Sequence, residues 1–494
     1  MMSSPAQSGP DERNRAKEAR ITLPGSPFGV AWGFVYGPPW AKAETFLPQL
    51  RAMGAGFTKV YLFWSQIEPR KGHFDWQAVD AFSRQLRTPG EGLIAVFSSS
   101  SWATRLPNPL LPPSPAKNLD DYYRFVNALV KHCKGHVRYW QNDCEPNNPV
   151  YWSGTAEEFA AQLKVFRRAV KDADPKAVVV CGGYDGLFNP PGMAPAPGQE
   201  KGLAFFDTVL KLAAGDYDMF DLRLYANPYT ISERVDAMRM HMAALGKVKP
   251  IVCTEYNGPG LFEYPVNRQY VGMVSQWAAA IAQSQAANGQ GNTAQSNPVT
   301  GLYERRDTLA PETQMFLQGA TQTLQDKFYR IQCRDLVMRN VFALSAGVQK
   351  TLFWDLWHDA SQRDDLMTLM YGKQRLMDYE DGVLKRRYPA ADAFQRMTEA
   401  LAGVRLVTRV IVPNSPSLYV FEVAGRKRHP MFVAWEKRDS FTGEDAPARL
   451  YDWAWKARGA RAADAFGRMV PAKVEHGRLY IPVSLTPIYI EPAG

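Results

Sequence analysis

Cysteine is scarce in this chain: Cys133, Cys144, Cys181, Cys253 and Cys333 stand far apart among 494 residues. Their number is odd, and no CxxC or Cys/His ligand spacing occurs, which excludes a zinc ribbon or finger. Three of them lie inside apolar, strand-like runs and read as reduced core residues. No stretch of 18 apolar residues exists, so no membrane span is expected. An apolar leader core is missing too. Residues 1–25 are polar and charged, reading as a disordered tail rather than a signal peptide, and the expectation is a cytoplasmic protein. Basic stripes interleaved with aromatics are absent. The net charge of +9 is scattered, apart from short clusters such as "KRRY" (385–388) and "GRKRH" (425–429), so no nucleic-acid partner is expected. Excess positive charge could still steer an anionic ligand. No repeat of fixed period appears, and no GxGxxG follows the first strand candidate, which argues against a dinucleotide-binding sheet.

What the chain does have is apolar and aromatic material, 46 % hydrophobic with 13 Trp and 22 Tyr. That suffices for one large core and a smaller second one. The aromatics either fill those cores or offer flat faces for sugar rings. From Phe28 onward, eight β-branched or aromatic runs alternate with helical patterns: "PFGVAWGF", "FTKVYLFW", "GLIAVFSSS", "VRYWQN", "AVVVCGG", "MFDLRLYANPY", "KPIVCTEYN" and "VQKTLFWDL". Segments such as "DDYYRFVNALVKHC" and "AEEFAAQLKVFRRAVKDA" between them show 3.6-residue periodicity. Eight strands separated by helices predict a (β/α)8 TIM barrel over residues 26–403.

Two departures from that regularity stand out. After the seventh strand, residues 258–322 form a long insert containing "AQSQAANGQGNTAQSNPV", read as a lid or subsite wall. Beyond "YPAADAFQRMTEALAGV" the pattern becomes short alternating strands, and residues 404–494 are predicted to form a small β-sandwich domain.

Reactive groups of a parallel barrel sit at the C-terminal ends of different strands. Two carboxylates occupy such places: Glu145 in "RYWQNDCEPNNP", where Pro146 stops any strand ladder, and Glu255 in "PIVCTEYNG". A carboxylate pair is the minimum machinery for cleaving a glycosidic bond, one protonating the leaving oxygen and the other attacking the anomeric carbon. Mutual repulsion helps keep one of them protonated.

Several motifs in order carry a family resemblance: "KVYLFWSQIEPRKGHFDWQAVD", "SSSSWATRLP", "YWQNDCEPN", "IVCTEYN" and "LFWDLWHD". Over residues 28–403 the chain resembles clan A glycoside hydrolases, family 39 and the related families 5 and 42. The resemblance implies Glu145 as acid/base, Glu255 as nucleophile and Trp354 at the floor of the sugar subsite. Lys59 stands where relatives usually carry Arg, and either supports the nucleophile or snorkels. Tyr229 in "YANPY" matches the strand-six tyrosine that hydrogen-bonds the nucleophile in relatives. Where relatives often place a His near that strand end, this chain has Tyr225 or Asn227. Trp64 is a further candidate substrate contact, with Trp32, unless both pack in the core. Glu68 in "IEP" reads as structural, closing a loop.

Cys144 departs from the family pattern. Relatives have Asn directly before the acid/base, and its amide bonds the sugar 2-hydroxyl. A thiol is a weak substitute. Either the −1 sugar is unusual, or Asn142 or Asn147 takes over, or catalysis is impaired. The expectation is therefore a retaining glycoside hydrolase for an oligo- or polysaccharide, needing no metal and no organic cofactor. A transglycosylase using the same glutamates, or a non-catalytic carbohydrate-binding barrel, are the alternatives.

Overall fold

A computed structural model describes residues 20–32, 42–184, 200–277, 298–425 and 430–493. Eight parallel strands, β1 (Phe28–Ala31), β2 (Thr58–Phe63), β3 (Gly92–Phe97), β4 (Tyr139–Asn142), β5 (Val178–Tyr184), β6 (Met219–Leu222), β7 (Ile251–Tyr256) and β8 (Thr351–Trp354), pair in sequential order, and β8 returns to β1. Gly29 bridges to Phe57, and Val30 N–H donates to Phe57 O at 3.2 Å, closing the ring between β1 and β2. All eight expected strand segments are strands of this barrel. Nearly every strand residue is buried, because helices cover the outside while side chains fill the inside.

The helices that follow the strands are α1 (Ala43–Ala52), α2 (Gln77–Ser83), α3 (Leu119–His132), α4 (Ala156–Ala173), α5 (Glu200–Ala213), α6 (Ile231–Leu245), α7 (Gln322–Ser345) and α8 (Pro389–Ala400). Local chemistry sets several of their ends. Asn118 caps α3 by accepting from the Asp120 and Asp121 N–H groups, and Thr155 and Glu158 form a capping box on α4. Helix α7 is different: residues 331–344 are all buried, charged ones included. It lies between the barrel and the C-terminal sheets, with Phe342 edge-on to Phe421 and Trp435.

Two antiparallel sheets follow. One has six strands, β11 (Leu406–Val410), β12 (Leu418–Ala424), β13 (Met431–Glu436), β19 (Ile488–Ala493), β15 (Gly459–Asp464) and β16 (Met469–Val470); the other is β14 (Arg449–Ala454), β18 (Arg478–Val483) and β17 (Lys473–Glu475). Val420, Ala434, Trp453, Leu479, Ile481 and Ile490 share one core between them, as in a β-sandwich. The "KRRY" cluster belongs to a hairpin of β9 (Met377–Glu380) and β10 (Val383–Arg387), where Lys385 pairs with Glu380 at 3.0 Å and Arg387 with Asp392 at 2.6 Å. Most of "GRKRH" lies outside the described residues.

Two expectations about the chain's periphery need adjusting. Residues 20–25, assigned to a disordered tail, are held on the barrel: Ile21 is buried, its N–H donates to Arg405 O at 2.9 Å, and Thr22 N–H donates to Gln349 Oε1 at 2.8 Å. The insert's low-complexity piece lies almost wholly outside the described residues, but its flanks build a satellite core from Leu261, Tyr264, Met315, Phe316 and Phe328. Glu263 pins that core to α7 through Arg339 at 2.7 Å.

Candidate active site

Past Asn142 the chain turns through Asp143 in the left-handed region, φ 51°, which Asp tolerates better than most residues. The Asp143 carboxylate accepts from Ser98 N–H at 2.9 Å and from Ser98 Oγ at 3.0 Å, tying the turn to the end of β3. That turn delivers Cys144 and Glu145 to the barrel mouth. Glu255 arrives from β7, where the β7–β8 register shifts between Cys253 and Tyr256. A carboxylate oxygen of Glu145, one of Glu255 and the Cys144 sulfur all lie within 4.8 Å of one another.

Two buried cations face these groups. Lys59 on β2 donates to Glu255 Oε1 at 2.8 Å and to Thr254 Oγ1 at 3.0 Å. Arg223, just beyond β6, donates through Nε to Glu145 Oε1 at 2.9 Å. Its Nη2 stands 3.1 Å from Glu255 Oε1 and 2.9 Å from Cys144 Sγ. Its Nη1 donates to Asp221 Oδ2 at 2.6 Å and also to Thr254 Oγ1. Asp221 is itself fixed, accepting from Gln141 Nε2 at 2.6 Å and from Thr254 N–H at 2.8 Å. Glycine at 183 is what makes room: a Cβ there would stand 2.6 Å from Cζ of Arg223.

Hydroxyl groups complete the shell around Glu255. Tyr61 donates to its Oε1 and Tyr225 to its Oε2, the latter at 3.0 Å. Burial pushes both phenols up, reinforced by neighbouring negative charge, so they stay as donors. Burial alone would raise the Glu255 carboxyl as well, but Arg223 and Lys59 outweigh it and hold it down at about 2. Burial drives the Cys144 thiol far up, leaving a neutral S–H. Among the described residues, Cys144, Glu145 and Glu255 are the one grouping of acids and thiols that could converge on an ion. The guanidinium of Arg223 touches all three, so the positive charge at that point already comes from the protein.

Of the residues singled out from sequence, Glu145, Glu255, Lys59 and Cys144 meet here. Trp354 ends β8 partly exposed, its ring 6.0 Å from that of Tyr61 at 70°. Three candidates fall elsewhere. Trp64 is fully buried, stacked 4.8 Å from Phe125, with its Nε1 donating to Glu68 Oε2 at 2.9 Å, so it is a core residue and not a substrate contact. Trp32 packs against Phe46 in the same core. Tyr229 does not touch Glu255; its hydroxyl accepts from Trp435 Nε1 at 3.1 Å at the junction with the sandwich. The tyrosine that bonds Glu255 is Tyr225, four residues earlier. Asn227 is exposed, and its side chain caps the following turn by accepting from Tyr229 N–H at 3.0 Å. Asn142 does not replace the missing amide either, since its Nδ2 is spent on Tyr122 and Asp143. Glu68 closes its loop by accepting from Gly72 N–H at 2.6 Å and pairing with Arg124 at 2.7 Å.

Sequence reasoning missed Asp221 and Arg223, and named Tyr225 only as standing where relatives place a His, not as a partner of Glu255. The signal was available: "FDLRLY" places polar side chains at every second position, and in a strand those share a face. For a barrel strand that face is the interior.

No family model matches the sequence, and no curated protein resembles it at the sequence level. Solved structures do match along almost its full length. A family 39 glycoside hydrolase from Bacteroides cellulosilyticus WH2 is 16 % identical, with a TM-score of 0.60 over 96 % of this chain and 82 % of that one. A monomeric β-xylosidase from Caulobacter crescentus CB15 is 14 % identical, with a TM-score of 0.54 over 96 % and 98 % of the two chains. A family 51 α-L-arabinofuranosidase from Bifidobacterium longum is 11 % identical, with a TM-score of 0.54 over 95 % and 96 %. At such identities the likeness is one of fold, and the fold is that of clan A glycoside hydrolases: a (β/α)8 barrel followed by a β-sandwich.

Proposed function

We propose that the chain is a retaining glycoside hydrolase acting on an oligo- or polysaccharide, with Glu255 as nucleophile and Glu145 as acid/base. The observation that carries this reading is the carboxylate pair at one barrel mouth, with oxygens within 4.8 Å. That suits the separation of about 5–5.5 Å used for double displacement, not the roughly 6.5–9.5 Å that leaves room for water in inverting enzymes. Glu255 is ionised through its two cations and attacks the anomeric carbon, while Glu145 gives its proton to the departing oxygen. Water then enters, loses a proton to Glu145 and releases the sugar from Glu255. Trp354 is the stacking platform in this reading, and the flanks of the 258–322 insert form one wall of the cleft. The similar structures include a xylosidase and an arabinofuranosidase, which agrees with a carbohydrate substrate.

Cys144 is nearly buried, at 3 % exposure, and its sulfur lies 3.6 Å from Glu255 Oε1. It offers no amide to a 2-hydroxyl, so we assign the −1 subsite to a sugar lacking or modifying that hydroxyl. The test is a panel of chromogenic glycosides and polysaccharides, followed by NMR of the first-formed anomer. Retention with loss of turnover in Glu255→Gln and Glu145→Gln is expected. Turnover surviving in both variants, or an inverted product, overturns the assignment; transfer to an added acceptor sugar instead of water indicates a transglycosylase.

A further inference from the structure

We propose that Arg339, on α7, is a positioning residue for Tyr225: it pins the turn beyond β6 to the insert, and through that turn holds the Tyr225 hydroxyl on Glu255. The inference rests on the retaining reading above and extends it to a residue that lies outside the barrel mouth.

Where a strand ends, its backbone carbonyls lose their ladder partners, and buried ones need others. Beyond Leu222 three in a row are taken by guanidinium groups. Arg234 on α6 donates through Nη2 to Arg223 O at 2.6 Å and through Nη1 to Tyr225 O. Arg339 donates through Nη1 to Leu224 O at 2.8 Å. The Leu224 N–H donates in turn to Glu255 O at 3.3 Å. Leu224 thus has one backbone group on the nucleophile's own peptide and the other on Arg339. It stands between two residues, Arg223 and Tyr225, whose side chains reach the Glu255 carboxylate.

Arg339 is buried, and its fork is held on every side. Nε donates to Asp335 Oδ2 at 2.6 Å, one turn earlier in α7, and Nη2 donates to Glu263 Oε1 at 2.7 Å. A guanidinium is planar and rigid, so fixing two of its edges sets the third. Glu263 is folded back onto the insert by accepting from Gly260 N–H at 3.0 Å. The chain leaving β7 crosses the same pair directly. A Cβ on Gly258 would overlap Asp335 Oδ2 and stand 2.7 Å from Arg339 Nε, so the close approach requires glycine. One side chain therefore joins the flank of the insert, helix α7, the exit of β7 and the turn beyond β6.

Of the groups around Glu255, Tyr225 depends most on that junction. The head of Arg223 is fixed separately, by Asp221 and Thr254. Lys59 and Tyr61 come from β2, on the other side of the barrel mouth. Tyr225 hangs on the turn itself, its hydroxyl 3.0 Å from Glu255 Oε2, with the left-handed Ala226 following at once. When Leu224 O loses its anchor, the Tyr225 hydroxyl is the group that moves. A displacement of about 1 Å at such a contact is enough to lower a rate substantially.

The test is a double-mutant cycle, read on a 4-nitrophenyl glycoside found by screening. Arg339→Lys keeps a positive charge between Asp335 and Glu263 but cannot serve three acceptors in one plane. It should lower kcat by about tenfold while KM stays within about twofold. Acting through Tyr225, it should cost no more than Tyr225→Phe does. In the Tyr225→Phe background the same substitution should cost less than about twofold, because the hydroxyl it misplaces is gone. Losses that multiply across the two substitutions, or a rise in KM with kcat unchanged, overturn the proposal: Arg339 would then support packing or binding at large.

Glu263→Ala repeats the cycle from the insert side, at a side chain that is 16 % exposed, and decides the matter should Arg339→Lys fail to fold. It should lower kcat by about threefold, and again not when Tyr225 is already Phe. An unchanged kcat in Glu263→Ala, or a loss that persists in the Tyr225→Phe background, overturns the coupling. Labelling of unaltered enzyme with a 2-deoxy-2-fluoro glycoside separates the two levels of inference. If Glu255 is labelled and the cycle is additive, the Arg339 proposal alone has failed. If Glu255 is never labelled and no glycoside is turned over, the hydrolase reading has failed, and the Arg339 proposal falls with it.

Discussion

Tyr225 donates its hydroxyl to Oε2 of Glu255 at 3.0 Å, while Lys59, Tyr61 and Arg223 crowd the other oxygen. The carboxylate is thereby divided into a held oxygen and a freer one. In the proposed double displacement the freer one is the attacking oxygen, and Tyr225 is the group that would steer it. Ala226, in the left-handed region at φ 67°, carries the chain away immediately after this tyrosine, so its ring cannot follow the loop outward without the backbone changing.

Substituting Tyr225 by Phe should therefore lower kcat by about tenfold to a hundredfold with little change in melting temperature. Tyr229→Phe should do the reverse. It removes the acceptor for Trp435 Nε1, costs about 1 kcal/mol in urea denaturation and leaves turnover unaltered. Equal kinetic losses in the two variants would show that the four-residue distinction between these tyrosines is wrong.

The fold was legible because barrel strands, buried on both faces, read as unbroken apolar runs bounded by turn residues. Glu145 and Glu255 stood out because an acid near the end of such a run, with Pro146 after the one and Tyr256-Asn257-Gly258 after the other, has no packing reason to be there. Helix α7 was not, since burial all round, from Ile331 to Leu344, erases the one-sided pattern that marks a surface helix. Arg223 was invisible for a related reason. A single charge in an apolar strand reads as an edge or a stray unless its neighbours at two-residue spacing, Asp221 and Tyr225, are taken with it. Trp64 and Tyr229 misled because an aromatic at a strand end looks the same in sequence whether it faces a cleft or a neighbouring layer.

Glu444 ties the sandwich to α7, pairing with Arg330 at 2.8 Å and Arg334 at 2.9 Å. Burial would raise its carboxyl, but the two guanidinium groups hold it down at about 2, against an ordinary 4.5. A value depressed in the folded state means stability that is present above about pH 4.5 and lost as pH falls towards 2. Glu444→Gln should therefore cost about 2 kcal/mol at pH 7 and about 0.5 kcal/mol at pH 2.5, as measured by denaturation midpoints. A constant difference across that range would mean the pair contributes through shape and not charge.

Asp143 runs the other way. Full burial raises its carboxyl to about 7, and the Ser98 hydrogen bonds recover only part of the shift. Its folded value lies above its unfolded one, so its contribution is intact below about pH 4 and declines as pH rises through 7. Asp143→Asn keeps an acceptor for Ser98 N–H and has no charge to bury. The variant should gain about 1–3 kcal/mol on the parent between pH 5 and pH 8, with the parent's stability falling over that range and the variant's flat. Parallel pH profiles would place the titration elsewhere.

Cys144 is where the site can be asked what sugar it expects. An Asn side chain at this position would bring its amide into the space between Arg223 Nη2 and Glu255 Oε1, now filled by a sulfur 2.9 Å from one and 3.6 Å from the other. There the amide could serve a 2-hydroxyl, a contact that tightens as the anomeric carbon gains positive charge. Cys144→Asn should then raise kcat/KM on unmodified β-glycosides by about tenfold and lower it on the natural substrate. The thiol is neutral and nearly inaccessible, so iodoacetamide should label it slowly in the parent enzyme, and occupancy of the cleft by sugar should slow it further. A rise on every substrate alike would instead mean that cysteine is simply a poorer residue here, and that the sugar at this subsite is ordinary. A loss on every substrate alike would mean that the sulfur holds the Arg223 fork in register, a role that Cys144→Ser would then restore only in part, because an oxygen is smaller and sits closer to the guanidinium.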